Sequence, residues 1–343
     1  MSLEVLMVIG FLLGAYSIVG NDAIQTLGTF LSSNSHRPWW VLWLFGGGIL
    51  TVVLVYGWVV YDSDVSYGRL QAIPVPDHFN WIYCVPPFVL LLLTRGGIPV
   101  STTFLTLTVF APKALPSMLI KSLMGYATAF VAAILIYRWV TRGIESRFRQ
   151  TDGPINPWWG VAQWCSTGFL WSQWLIQDLA NIYVFLPRDP ITRTPDIATG
   201  WFIASIAMML AMQAIIFYTH GGAIQKVVLT KTNTTDIRSA TFVDLIYGIV
   251  LFLFKEISNL PMSTTWVFVG LLAGREIAVA WNEQHRRRRE VSRLVFSDFG
   301  KITFGLVVSV GIAYLAPIFH SANPSSLMKY LSNAFGPPTK PGA

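Results

Sequence analysis

Two acidic residues stand where water is scarce. Asp22 lies in the run SIVGNDAIQTLGTF and Asp178 in the run WLIQDLANIYVF. A carboxylate inside an apolar membrane segment is costly unless it is paired or hydrated, so intramembrane acids are functional candidates by default. Amides accompany both: Asn21 and Gln25 near the first, Gln177 and Asn181 near the second. Asp178 and Asn181 are three positions apart and share one face of a continuous helix. Carboxylate, amide and hydroxyl oxygens together suit a hard cation such as Na⁺. The plainer alternative is two buried acids, each bonded to amides, that lock helix packing.

A second pattern lies downstream of each acid. Pro99-Val100-Ser101-Thr102-Thr103 follows the first and Pro261-Met262-Ser263-Thr264-Thr265 the second, and a basic residue comes at the same interval after each serine, Lys113 and Arg275. Proline suits the first turn of a helix, where its missing N–H is not needed. The hydroxyls then stand beside unsatisfied backbone N–H groups, and a helix N-terminus of this kind binds anions. Gly96-Gly97 allows a tight turn before the first segment, and Ser258-Asn259 could serve before the second. For either segment alone, hydroxyls that satisfy backbone groups beside a proline kink are the simpler reading. The repeat joins the two patterns. Paired, interrupted segments in two halves point to a transporter with its site near the membrane midplane. A dianion close to two carboxylates is repelled by several kcal/mol at an effective dielectric of about 20. Cations or protons on Asp22 and Asp178 would remove that repulsion, so the constellation predicts cation-coupled anion uptake in which each ligand raises the affinity for the other.

The elements that must position these residues are transmembrane helices. Hydrophobic residues make up 53% of the 343 and charged residues 12%, and mean hydropathy is +0.54. So little polar surface cannot coat a water-soluble globule, and it excludes a disordered or nucleic-acid-binding chain. The net charge of +7 therefore bears on loop orientation. Apolar stretches long enough to cross a bilayer cover 3–20, 40–61, 80–94, 115–139, 158–186, 199–218, 240–257 and 297–318. Two more, 97–112 and 260–281, are interrupted and read as hairpins or broken helices. Basic loops at 138–149, 226–238 and 286–293 are expected on the cytoplasmic side, and loop 62–79, with Asp62, Asp64 and Asp77 against Arg69, outside. These placements agree if both interrupted segments carry the chain across, as a broken span or as a hairpin with extra half-helices. That gives about ten crossings, about five in each half, so the second half enters the membrane inverted.

The expected organisation is a first inverted repeat over 1–140, a cytoplasmic linker over 141–157, a second repeat over 158–320 and a polar tail over 321–343. The fold class is an all-α polytopic membrane protein. The expected location is the plasma (inner) membrane, with both termini non-cytoplasmic. The Arg286–Arg289 run can also meet anionic membrane lipid. Cys84 and Cys165 lie in apolar segments and read as packing residues, and His36, His78, His220, His285 and His320 show no metal-site spacing. No Walker A lysine motif, HExxH or glycine-rich dinucleotide fingerprint is present, so nothing supports ATP-driven transport by this chain alone, and no cofactor beyond the coupling ion is expected.

Taken together, these residues resemble the inorganic phosphate transporter family, which includes sodium- and proton-coupled phosphate transporters and some sulfate permeases. Gly20-Asn21-Asp22 with Gly28-Thr29 is similar to one family signature, and Gln177-Asp178-Leu179-Ala180-Asn181 to its second copy. The two Ser-Thr-Thr segments match the family's hydroxyl segments, and Ile224-Gln225-Lys226 and Asp244-Leu245 loosely resemble stretches between them. The resemblance implies that Asp22 and Asp178, with Gln25 and Gln177, bind Na⁺ or carry H⁺. It implies that Asn21, Asn181, Ser101, Thr102, Thr103, Ser263, Thr264 and Thr265 contact the phosphate. Family members often pair, which implies a homodimer. Gln25 stands where the family usually has Asn, Gln177 replaces the Asn before the second acid, and Phe104 and Trp266 stand where His is common. Longer amides shift oxygen placement, so sulfate or another oxyanion remains an alternative substrate. An intramembrane enzyme using Asp22 and Asp178 as an acid–base pair, and a non-transporting scaffold, remain alternatives from other classes.

Overall fold

The structure, a computed structural model, describes residues 2–95, 100–140, 156–219, 237–257, 262–282 and 287–320. Gly96-Gly97, Pro99, Ser258-Asn259, Pro261, Lys226, Lys231, Arg286, most of the linker at 141–157 and the tail from 321 lie outside the described residues.

The described chain is helical. In order it forms α1 (Leu3–Ser33), α2 (Trp39–Val60), α3 (Val85–Arg95), α4 (Thr102–Phe110), α5 (Leu115–Val140), α6 (Trp158–Tyr183), α7 (Thr199–Tyr218), α8 (Ile237–Ile257), α9 (Thr264–Asn282) and α10 (Arg287–His320). Among the described residues, 5 helices are long and apolar enough to cross a membrane, within α1, α2, α5, α7 and α10. Their outward faces carry exposed apolar side chains such as Val52, Val59, Ile120, Val131, Ile203 and Val307. Helices α6 and α9 are less apolar because they carry Gln173, Gln177, Asp178 and Asn181, or Thr264, Thr265 and Arg275, as buried residues. They sit inside the bundle, where polar side chains find protein rather than lipid.

The first helix extends beyond the expected 3–20 and runs to Ser33, so Asn21 and Asp22 lie mid-helix. The first interrupted segment also becomes definite. Helix α4 has 9 residues, all buried. At 1.5 Å per residue it rises about 14 Å, half of the roughly 30 Å hydrocarbon core. It packs back on α3, itself 11 residues after a 3₁₀ turn at Trp81–Cys84. The pair is a hairpin of half-length helices held within the bundle. In the later segment α8 and α9 are longer, 21 and 19 residues, and also pack on each other.

The packing is reciprocal between the first five helices and the last five. Helix α1 packs on α3 and on α7; correspondingly, α6 packs on α8 and on α2. Helix α4 lies against α10, and α9 against α5, while α1 meets α6 and α2 meets α7. The α5–α9 contact is close because Gly270 and Gly274 are small residues one turn apart, which lets two helix backbones approach. A Cβ at Gly270 would fall 2.4 Å from the Tyr126 carbonyl oxygen, and one at Gly274 2.2 Å from that of Phe130.

Replacing Gly274 by Leu is expected to separate α5 from α9 and to lower stability by about 2 kcal/mol or more. Thermal unfolding of detergent-solubilised protein measures it. Gly48→Ala, at a position where a Cβ meets nothing within 4 Å, should leave the Tm unchanged.

Candidate functional site

Helices α4 and α9 begin in the same way. Ser101 caps α4 by accepting a hydrogen bond from the Phe104 N–H at 3.1 Å. Ser263 does the same for the Trp266 N–H at 3.2 Å. A serine oxygen at the N-cap satisfies one of the orphan donors of the first turn. The two helix starts are then tied together. The Thr103 hydroxyl donates to the Met262 carbonyl at 3.1 Å, and the Thr265 hydroxyl donates to the Val100 carbonyl at 3.1 Å. Each bond runs from the last hydroxyl of one segment to the carbonyl just before the serine of the other. Two positive helix ends therefore meet within one pocket.

The acids close that pocket from α1 and α6. Asn21 donates from Nδ2 to Asp22 Oδ1 at 2.7 Å and to the Val100 carbonyl at 3.0 Å. Asn181 donates from Nδ2 to Asp178 Oδ1 at 2.6 Å and to the Thr103 hydroxyl at 3.2 Å. The Thr103 hydroxyl also reaches Asp178 Oδ1, at a long 3.4 Å. Thr102 and Thr265 flank Asp22, and Thr264 and Thr103 flank Asp178. The two carboxylates are close enough to repel each other. The six hydroxyls thus divide three ways: two serines cap, Thr103 and Thr265 cross-link, and Thr102 and Thr264 face the acids.

The site is dry. Asn21, Asp22, Asp178, Asn181 and Thr265 have 0% exposure, and Gln25, the most exposed of the twelve sequence candidates, has 3%. Yet several buried oxygens have no hydrogen-bond partner: Asn21 Oδ1, Asp22 Oδ2, Gln177 Oε1, Asp178 Oδ2, Asn181 Oδ1 and the Thr264 hydroxyl. Buried polar groups are normally satisfied. A cluster of unsatisfied oxygens, two of them carboxylate, is a donor set for a hard cation. Gln177 stands apart from the others in one respect: its Nε2 is held by the Leu251 carbonyl of α8 at 2.8 Å, which leaves only Oε1 free to serve the site. Gln25 is buried with Nε2 unpartnered.

A third intramembrane acid was not among the candidates. Asp244 on α8 accepts from the Thr29 hydroxyl of α1 and the Thr167 hydroxyl of α6, both at 2.5 Å. Both its oxygens are engaged, and it pins α8 to the two acid-bearing helices. The signal was present as an Asp within the apolar run TFVDLIYGIV, but its threonine partners are distant in sequence.

An all-helical, polytopic membrane protein is what these helices define. The structure is similar to a solved structure described as "The sodium-dependent phosphate transporter", with a TM-score of 0.59, 14% sequence identity, and coverage of 91% of this chain and 96% of that chain. At that identity the likeness is one of fold. No family model matches the chain, and no curated protein sequence matches it.

Sodium bound at the orphaned oxygens would stabilise the folded protein by about 1.4 kcal/mol at ten times its Kd. Titrating NaCl against choline chloride should raise the Tm of the wild type. In Asp178→Asn the sodium-specific increment should fall by at least half.

Proposed function

We propose that this chain is a secondary transporter that carries inorganic phosphate across the membrane together with Na⁺. One observation carries the reading: two helix N-termini and two buried carboxylates share a single pocket, cross-tied by Thr103 to Met262 and Thr265 to Val100. An anion held at the helix ends is repelled by Asp22 and Asp178 unless a cation neutralises them, so the two solutes bind together. The fold likeness to a protein described as a sodium-dependent phosphate transporter supports the same reading.

Sodium is favoured over a proton as the coupling ion by the amide oxygens. Asn21 Oδ1, Gln177 Oε1 and Asn181 Oδ1 lack partners; an amide oxygen does not take up a proton near neutral pH, but it coordinates a hard cation. Phosphate is favoured over sulfate by the acceptors. Monohydrogen phosphate carries an O–H that needs an acceptor, and Asp22 Oδ2 and Asp178 Oδ2 offer two, whereas sulfate has no donor to give. The reciprocal packing of the two sets of five helices fits two repeats inverted in the membrane, with loop 62–79 outside and the basic loops cytoplasmic.

Purified protein in liposomes should take up labelled phosphate under an inward Na⁺ gradient and take up labelled sulfate more slowly. Asp22→Asn and Asp178→Asn should each cut sodium-driven uptake at least tenfold. Uptake driven by a proton gradient alone would overturn sodium coupling. Transport of neither anion would return the chain to the enzyme or scaffold readings.

A further inference from the structure

Arg69 lies in the segment between α2 and α3, which the sequence places in a loop. The structure buries it completely, at 0% exposure, together with Asp64, Val65, Ser66 and Leu70. The backbone around it reverses sharply, with positive φ at Asp62, Ser63, Tyr67 and Gly68. Arg188 holds this segment in place by donating to the carbonyls of Leu70, Ile73 and Pro74. The loop is therefore tied down over the end of α6 that carries Asp178.

The guanidinium is poorly satisfied. Nη1 donates to the Ser66 carbonyl at 3.3 Å, while Nε and Nη2 have no hydrogen-bond partner. Those two nitrogens form one edge of the guanidinium, and two parallel N–H donors on one edge match two oxygens of a phosphate or carboxylate. Among the described residues no carboxylate is close enough to form an ion pair with it. Asp178, Asp64 and Glu256 act on it only at longer range. Burial pulls Arg69 down to about 10, against the opposing pull of these acids, so it keeps its charge at neutral pH. Lys121 on α5 is buried too, at 8% exposure. Its neighbour Ser122 accepts the Ser263 N–H at 2.9 Å, which places this part of α5 at the start of α9. A buried cation with an open donor edge is unfavourable unless an anion joins it.

We propose that Arg69 forms a second oxyanion site between the 62–79 loop and the central pocket. It would hold a phosphate through the Nε–Nη2 edge of Arg69 before the ion passes to the two helix ends. The proposal rests on the phosphate reading of the central pocket, but it concerns a separate set of residues. Labelled inorganic phosphate binding to the purified full chain in sodium tests it. The wild type should bind two phosphates per chain and Arg69→Gln one. Thr103→Val, which cuts the tie between the two helix starts, should also bind one, having lost the central site and kept the one at Arg69. Arg69→Lys, which keeps the charge but not the two-pronged edge, should weaken the second binding event at least fivefold. A single phosphate per wild-type chain, or a stoichiometry and affinity unchanged in folded Arg69→Gln, overturns the proposal. If Arg69→Gln does not fold, unchanged binding in Arg69→Lys overturns it instead. Binding unaffected by Thr103→Val but reduced by Arg69→Gln would sink the central-site reading and leave this one standing. No phosphate bound at all would sink both.

Discussion

Two carboxylates buried together repel each other and any anion placed beside them, and the arrangement of the helices answers that repulsion. Asp22 and Asp178 each spend one oxygen on a neighbouring amide, Asn21 or Asn181, and leave the second without a partner. The positive starts of α4 and α9 supply part of the missing compensation. A cation among the free oxygens supplies the rest. The same field that makes the pocket unstable without a cation makes cation and anion dependent on each other.

Holding two helix starts face to face requires the surrounding helices to come unusually near. Gly270 and Gly274 bring α9 against α5, and on the reciprocal contact Gly305 of α10 lies where a Cβ would be 2.4 Å from Val100. Val100 supplies the carbonyl that both Asn21 and Thr265 bond. Backbone approach at lipid-facing helices and hydrogen bonding at the pocket are thus mechanically linked through one residue. Asp244 adds a third tie, since its two threonine partners come from the two acid-bearing helices.

The site candidates were legible because each breaks a rule of its surroundings. An acid in an apolar run is conspicuous, and so is a triple hydroxyl motif that recurs. What each hydroxyl does was not legible. Ser101 and Ser263 serve as caps, and Thr103 and Thr265 as cross-links, because the opposite helix start lies against them. Gln177 is grouped with the cation ligands from its place beside Asp178; that its amide nitrogen is taken by α8, leaving Oε1 to the site, is a tertiary contact. Arg69 passed as an ordinary loop charge because nothing local marks a loop that folds inward; its burial depends on Arg188, more than a hundred positions away.

Composition and hydropathy alone determined a helical membrane protein, since apolar runs of about 20 residues are the length at which a helix spans the bilayer with its backbone bonds satisfied internally. Repetition alone determined that two acids and two hydroxyl segments belong to one scheme. Tertiary structure decided that the scheme is a single pocket, that α4 is a half-length helix inside it, and that Arg69 is buried. Those outcomes depend on contacts between helices remote in sequence, whose geometry is set by small residues and backbone carbonyls that carry no distinctive sequence signal.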